Sequence, residues 1–194
     1  MVLQRLKATI NYNVFSGNTP QAIAVAFLAF IAFFAITFTI TLLFQSTAFL
    51  QGTIDPSNPV QSIMRHGFAA TGLSEEKPIF ANSILLTYVA FGFVISIIET
   101  SYIIRFLEWL ARSFNISLAK FSIGLLLIYF VIGYAFVLFH ANVKGVEDNT
   151  ALTMTFIFAI MSLEIARRFK EMEPALYLHI INNVFFIFNI IGFG

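Results

Sequence analysis

The run from Pro20 to Phe44 contains no charged side chain. A helix needs about 20 apolar residues to cross a hydrocarbon core of ~30 Å. Arg5 and Lys7 precede the run like a signal-peptide n-region, but it is too long for an h-region and no small-residue cleavage site follows cleanly. It reads as a retained first span, from Gln21 to Phe44. Four more segments approach the same length: Ile79 to Ile98, Leu118 to His140, Thr150 to Leu163, and Ala175 to Phe193. The fourth is short and reaches further if Glu164 and Arg167 extend their charged heads toward water.

Composition says what surrounds these segments. Of 194 residues, 59% are hydrophobic and 11% charged, about half the usual charged share of a soluble domain. The mean hydropathy is +0.87. The 25 phenylalanines suit lipid, since Phe has no polar group to satisfy. The expected fold is all-α, a polytopic transmembrane helical bundle of about five spans in one membrane domain, residues 1–194. Residues 1–50 hold the N-terminal span, 51–78 an extramembrane loop, and 79–194 the helical core. The lipid bilayer is the first expected partner, and the chain reads as an integral protein of the cell membrane. No cysteine is present, which excludes disulfides and thiolate chemistry. A net charge of +1 offers no broad basic surface for nucleic acid.

Turn and capping signals separate the spans. Asp55-Pro-Ser-Asn-Pro59 is a turn cluster, and Ser74 can cap the helix that follows. Asn115 and Ser117 can cap the third span, and Asp148 or Asn149 the fourth. Glu173-Pro174 opens the fifth, with proline near the first helical position. Charge orients the stack. Arg5, Lys7, Arg105, Arg112, Lys120, Arg167, Arg168 and Lys170 fall on one side if the spans alternate. The other side dilutes Arg65, Lys77 and Lys144 with acids. The positive-inside rule then places the N-terminus inside and the C-terminus outside. Between the second and third spans, Thr100 to Phe114 is amphipathic. Glu108 can pair there with Arg105 or Arg112, and Trp109 can anchor at the headgroups.

Ionisable groups in a bilayer segment cost about 2.5 kcal/mol or more, so each one is a functional hypothesis. Glu99, His140, His179, Asn182, Asn183 and Asn189 fall within or beside the spans. A carboxylate and a histidine can deprotonate a water. A second histidine and an amide can donate hydrogen bonds to a developing oxyanion. His179 and Asn183 are four apart, so both can face one cavity. Glu99 and His140 also read as groups at a membrane boundary. Glu164 beside Arg167 and Arg168 reads as a solvated helix end, and Asn189 as packing glue. Glu99, His140 and His179 are legitimate Zn or Cu ligands, although their spacing matches no metal motif. A bound metal therefore stays open.

Glu99, then Phe136-x-x-x-His140, then His179-x-x-x-Asn183 resembles the CPBP family of membrane proteins. These are the CAAX prenyl endopeptidases and bacteriocin-processing homologues, also called glutamate intramembrane proteases. The family pattern is E-E-x-x-x-R, F-x-x-x-H and H-x-x-x-N or D. The last two motifs match in full and in order, and the likeness covers roughly residues 98–188. The first motif has two alignments. Glu99-Thr-Ser-Tyr-Ile-Ile-Arg105 places Thr100 at the second glutamate and brings the arginine one residue late. Leu107-Glu108-Trp-Leu-Ala-Arg112 keeps the Glu–Arg spacing but puts leucine at the catalytic position. Glu99 is preferred because it follows a span.

The resemblance implies a four-helix core and an endopeptidase with no required cofactor, acting on a membrane-bound peptide. Glu99 and His140 would activate water, and His179 with Asn183 would stabilise the oxyanion. Arg105, Phe136, Glu108 and Arg112 would support them. The rival expectation is a catalytically degenerate relative serving as an accessory subunit among the partners of a membrane complex. A third is a metal-binding or transport component that uses the histidines. Straight helices raise one difficulty. Counted from Lys120, His140 lies about 30 Å up, whereas His179 lies about 14 Å above Lys170.

Overall fold

The computed structural model describes residues 10–13, 18–44, 78–143 and 149–192. The expected loop at 51–78 lies outside them, apart from Pro78. Among the described residues there are five helices: α1 (Thr19–Phe44), α2 (Pro78–Ser113), α3 (Ile123–Val143), α4 (Asn149–Phe169) and α5 (Glu173–Gly192). The described residues form no strand beyond one isolated parallel bridge, Asn11 with Glu171. Two of the five helices are long and apolar enough to cross a bilayer: α1 over Thr19–Ile40 and α3 over Ile123–Asn142. The outward face of α1 exposes Phe27, Leu28, Ile31, Phe38, Leu42 and Leu43, a surface compatible with lipid.

Three contacts fix how the chain runs. The Thr19 hydroxyl at the start of α1 donates to Glu173 at the start of α5, 2.7 Å away. Arg167 near the end of α4 donates to the Leu118 carbonyl just before α3, at 2.9 Å. The Ile10 amide, shortly before α1, donates to Glu108 near the end of α2, at 3.1 Å. The starts of α1, α3 and α5 and the ends of α2 and α4 therefore share one end, and the helices alternate in direction. Arg105, Arg112, Arg167, Arg168 and Lys170 all lie toward this end. α4 packs against all four other helices, and α5 against α1, α2 and α4.

The core is aliphatic and closely packed, with Ile104, Leu107, Leu125, Leu163, Leu176 and Leu178 all fully buried. One glycine sets a helix spacing. A Cβ built on Gly133 of α3 would stand 2.7 Å from the Phe156 ring of α4, so only the bare backbone admits that ring. Small residues at such crossings let helices approach where lipid removes the hydrophobic drive to associate.

The structure corrects the reading of the α2–α3 region. The second span and the amphipathic stretch after it form one continuous 36-residue helix. Asn115 closes that helix rather than opening the next. It adopts a left-handed φ of 55°. Its amide donates to the Arg112 carbonyl and the Ile116 amide to the Ala111 carbonyl, the paired pattern of a Schellman ending. Ser122 caps α3 instead, accepting the Leu125 amide at 3.2 Å.

The α4–α5 hinge narrows the depth difficulty by bringing His179 level with Phe136, one turn short of His140. Lys170 turns the chain with a φ of 55°. Met172, Glu173, Ala175 and Leu176 are all buried, so α5 begins beneath the surface. Buried backbone groups need partners, and the N-terminal segment supplies them. The Asn11 amide donates to the Lys170 carbonyl at 2.7 Å, and the Met172 amide to the Asn11 carbonyl at 2.8 Å. Helix α3 starts only at Ile123, so Phe136 stands about 20 Å along it rather than 24 Å from Lys120. The recessed start of α5 lifts His179 to that level, and the two rings lie 6.4 Å apart.

Candidate functional site

Glu99 and Thr100 follow Ser96 by three and four residues and so lie on one side of α2. His179 and Asn183 lie one turn apart on α5. The helices are antiparallel, and the two sets meet rung by rung. Thr100 Oγ1 is 3.0 Å from His179 Nδ1. Asn183 Nδ2 donates to Ser96 Oγ at 2.9 Å, and Ser96 donates in turn to the Gly92 carbonyl at 2.7 Å. Residue numbers in the two rungs sum to the same value, as antiparallel register requires.

Glu99 approaches the same imidazole from its other nitrogen. Its Oε2 stands 3.3 Å from His179 Nε2, a close polar contact rather than an aligned hydrogen bond. Both residues are buried, His179 at 3% and Glu99 at 8% exposure. In so dry a setting a carboxylate and an imidazole interact more strongly than in water. Aromatic rings enclose the pair. Phe158 of α4 meets the His179 ring edge-on at 5.0 Å, and Phe136 of α3 meets it at 6.4 Å.

Phe136 also links this cluster to His140, with ring centroids 4.3 Å apart. His140 Nδ1 lies 2.9 Å from the Phe136 carbonyl. A carbonyl only accepts, so Nδ1 carries the proton, and in the neutral form of this ring the lone pair lies on Nε2. The two histidines are thus held differently: His140 turns Nδ1 to its own helix backbone, while His179 turns Nε2 toward a carboxylate.

The structure therefore brings Glu99, His179, Asn183 and Phe136 together, with His140 one turn further along α3. Arg105 lies elsewhere. It is exposed, and its guanidinium sits over the Tyr12 ring at 5.4 Å. Six residues put Arg105 about 120° around the helix from Glu99, and α2 is uninterrupted α-helix between them. Glu108 and Arg112 form a separate group at the end of α2. The Glu108 carboxylate accepts from the Ile10 amide at 3.1 Å, the Tyr12 hydroxyl at 2.7 Å and Arg112 at 2.8 Å. Burial first, and then the Glu108 hydrogen bond, push the Tyr12 hydroxyl above its usual pKa.

Glu164 is not the solvated helix end that its neighbours suggested. It accepts from the buried Tyr129 at 2.7 Å, from Arg167 through two nitrogens at 2.8 and 2.7 Å, and from Arg168 at 2.6 Å. Burial works to raise this carboxyl, but the Arg167, Arg168 and Tyr129 hydrogen bonds prevail and hold it at about 2. Glu164 stands just past the apolar run of α4 and ties that helix to α3. The side chain of Asn189 lies outside the described residues. Asn182 Oδ1 and Ser162 Oγ are buried with no hydrogen-bond partner among the described residues. Among the described residues, no three His, Asp or Glu side chains converge as a metal site.

Ser96 and Thr100 went unread as site residues. Their signal was a hydroxyl pair four apart on α2, matching the His–Asn pair four apart on α5. A comparison with models of known families, with characterised proteins and with solved structures finds no match to this chain.

Proposed function

We propose that this chain is a polytopic, five-span membrane protein of CPBP type that hydrolyses a peptide bond near the membrane surface. The observation that carries the reading is the buried contact of Glu99 with His179, flanked by Asn183 and by a second histidine whose Nε2 is basic. Glu99 and His140 accept a proton from the attacking water as its oxygen bonds to the peptide carbonyl carbon. The carbonyl oxygen becomes an oxyanion. Once Glu99 has taken up the proton, His179 Nε2–H and the Asn183 amide N–H not given to Ser96 donate to it. Collapse breaks the C–N bond, and the proton taken from water passes to the departing amine. The route uses protein groups alone.

Location fits this chemistry. Glu99 lies nine residues from Glu108, about 14 Å in from the basic end of the bundle. The positive-inside rule faces that end to the cytoplasm, with the N-terminus inside and the C-terminus outside. Protein reconstituted in liposomes should cut a membrane-anchored peptide, and His140→Ala should not. Unchanged turnover in that variant removes the assignment.

One observation favours a second reading, an accessory subunit without activity. Thr100 occupies the place of the family's second glutamate, and Arg105 faces Tyr12 rather than the site. Native purification separates the two readings. A stoichiometric complex with no peptidase activity supports the accessory role; an active lone chain opposes it.

A further inference from the structure

Among the described residues, five helical serines and threonines return their hydroxyl proton to their own helix. Ser96, Thr37, Thr39, Thr153 and Thr155 each donate to a carbonyl three or four residues back. Thr100 differs. Its hydroxyl lies 3.0 Å from Nδ1 of a histidine on another helix, and the residue is fully buried. Each nitrogen of His179 therefore faces one defined group. Nε2 faces a carboxylate, which attracts an N–H and repels a lone pair. That leaves the lone pair on Nδ1, and the Thr100 hydroxyl is placed to donate to it.

We propose that Thr100 is a positioning residue that holds His179 as the neutral Nε2–H tautomer. His140 is set the opposite way by the Phe136 carbonyl. Two histidines of one cluster are thereby fixed as one donor and one acceptor, each by a neighbour that takes no part in the chemistry. A second-site partner on the far nitrogen is how imidazole tautomers are commonly set. The catalytic meaning of this assignment rests on the peptidase reading; the tautomer itself does not.

The test is a two-bond nitrogen–proton correlation spectrum of protein labelled with ¹⁵N-histidine. The chain has three histidines, His66, His140 and His179, so His179→Gln identifies the signals. Wild type should show His179 neutral, protonated on Nε2, with Nδ1 shifted as a hydrogen-bond acceptor. Thr100→Val should move Nδ1 to the position of a lone pair without a hydrogen bond, and Thr100→Ser should restore it. A wild-type ring carrying a proton on Nδ1, as the other tautomer or as imidazolium, overturns the proposal. So does an Nδ1 signal that Thr100→Val leaves in place. The wild-type spectrum alone decides the matter should Thr100→Val fail to fold. In a cleavage assay, Thr100→Val should lower kcat about 10-fold with KM little changed, and Thr100→Ser should recover it. The predicted spectra from a protein that cuts no peptide would sink the peptidase reading and leave the positioning role standing.

Discussion

Replacing Glu108 with alanine should loosen the N-terminal segment while sparing the Glu99 cluster. The side chain is only 5% exposed and accepts from the Ile10 amide and the Tyr12 hydroxyl. Hydrogen bonds to a charged group are worth about 1.5–3 kcal/mol each. Tyr12 is half-buried and partly rehydrates, so two bonds at the low end give about 3 kcal/mol. Arg112 is 61% exposed and adds a few tenths at most. Residues 10–13 also pair with the α4–α5 hinge, so the loss should appear there. Hydrogen exchange of the Asn11 and Met172 amides, both held in that pairing, should speed up roughly 100-fold in detergent. Glu108 lies about 14 Å along α2 from Glu99, so peptide turnover should fall far less than in a Glu99 variant. The opposite pattern, turnover abolished with exchange at the hinge unmoved, would refute this reasoning. It would make Glu108 the catalytic carboxylate.

Further expectations follow from the packing and the outer ion pairs. Gly133→Ala should destabilise the α3–α4 contact by about 1–3 kcal/mol, because its new methyl overlaps the Phe156 ring, and thermal unfolding of a Phe156→Leu double variant should recover part of the loss. The Glu164 carboxyl is depressed from 4.5 to about 2 in the folded protein. Its stabilising contribution is therefore complete above about pH 4.5 and is lost as pH falls through about 2. Acid unfolding followed by circular dichroism should lose part of its slope in that window in Glu164→Gln. Asn183→Ala should lower kcat by about 100-fold through loss of an oxyanion donor, whereas Ser96→Ala should cost far less, as measured by initial cleavage rates.

The helical class was legible in the apolar runs, since 20 or so residues without charge leave few alternatives to a helix. Helix ends were less so. Asn115 reads equally as an N-cap or as a left-handed C-terminal residue, and only its backbone bonds decide between them. His179 and Asn183 stood out because polar groups are rare in such runs. Ser96 and Thr100 did not, because hydroxyls are common in membrane helices and usually bond their own backbone. Glu164 misled for a physical reason: its arginines are local in sequence, but its Tyr129 partner is 35 residues away. The separation of Arg105 from Glu99 was already implied by helical angle. Its actual neighbour, Tyr12, belongs to a segment that no local pattern ties to α2.

The central claim is that Glu99 is the carboxylate of a hydrolytic site built with His140, His179 and Asn183. Its most direct test is the initial rate at which the purified chain in liposomes cuts a membrane-anchored peptide, compared with Glu99→Gln at equal folded concentration. The account predicts measurable cleavage by the wild type and a fall of at least about 100-fold in the variant. Equal rates in the two proteins, or no cleavage by a folded wild type across a broad peptide set, would contradict it.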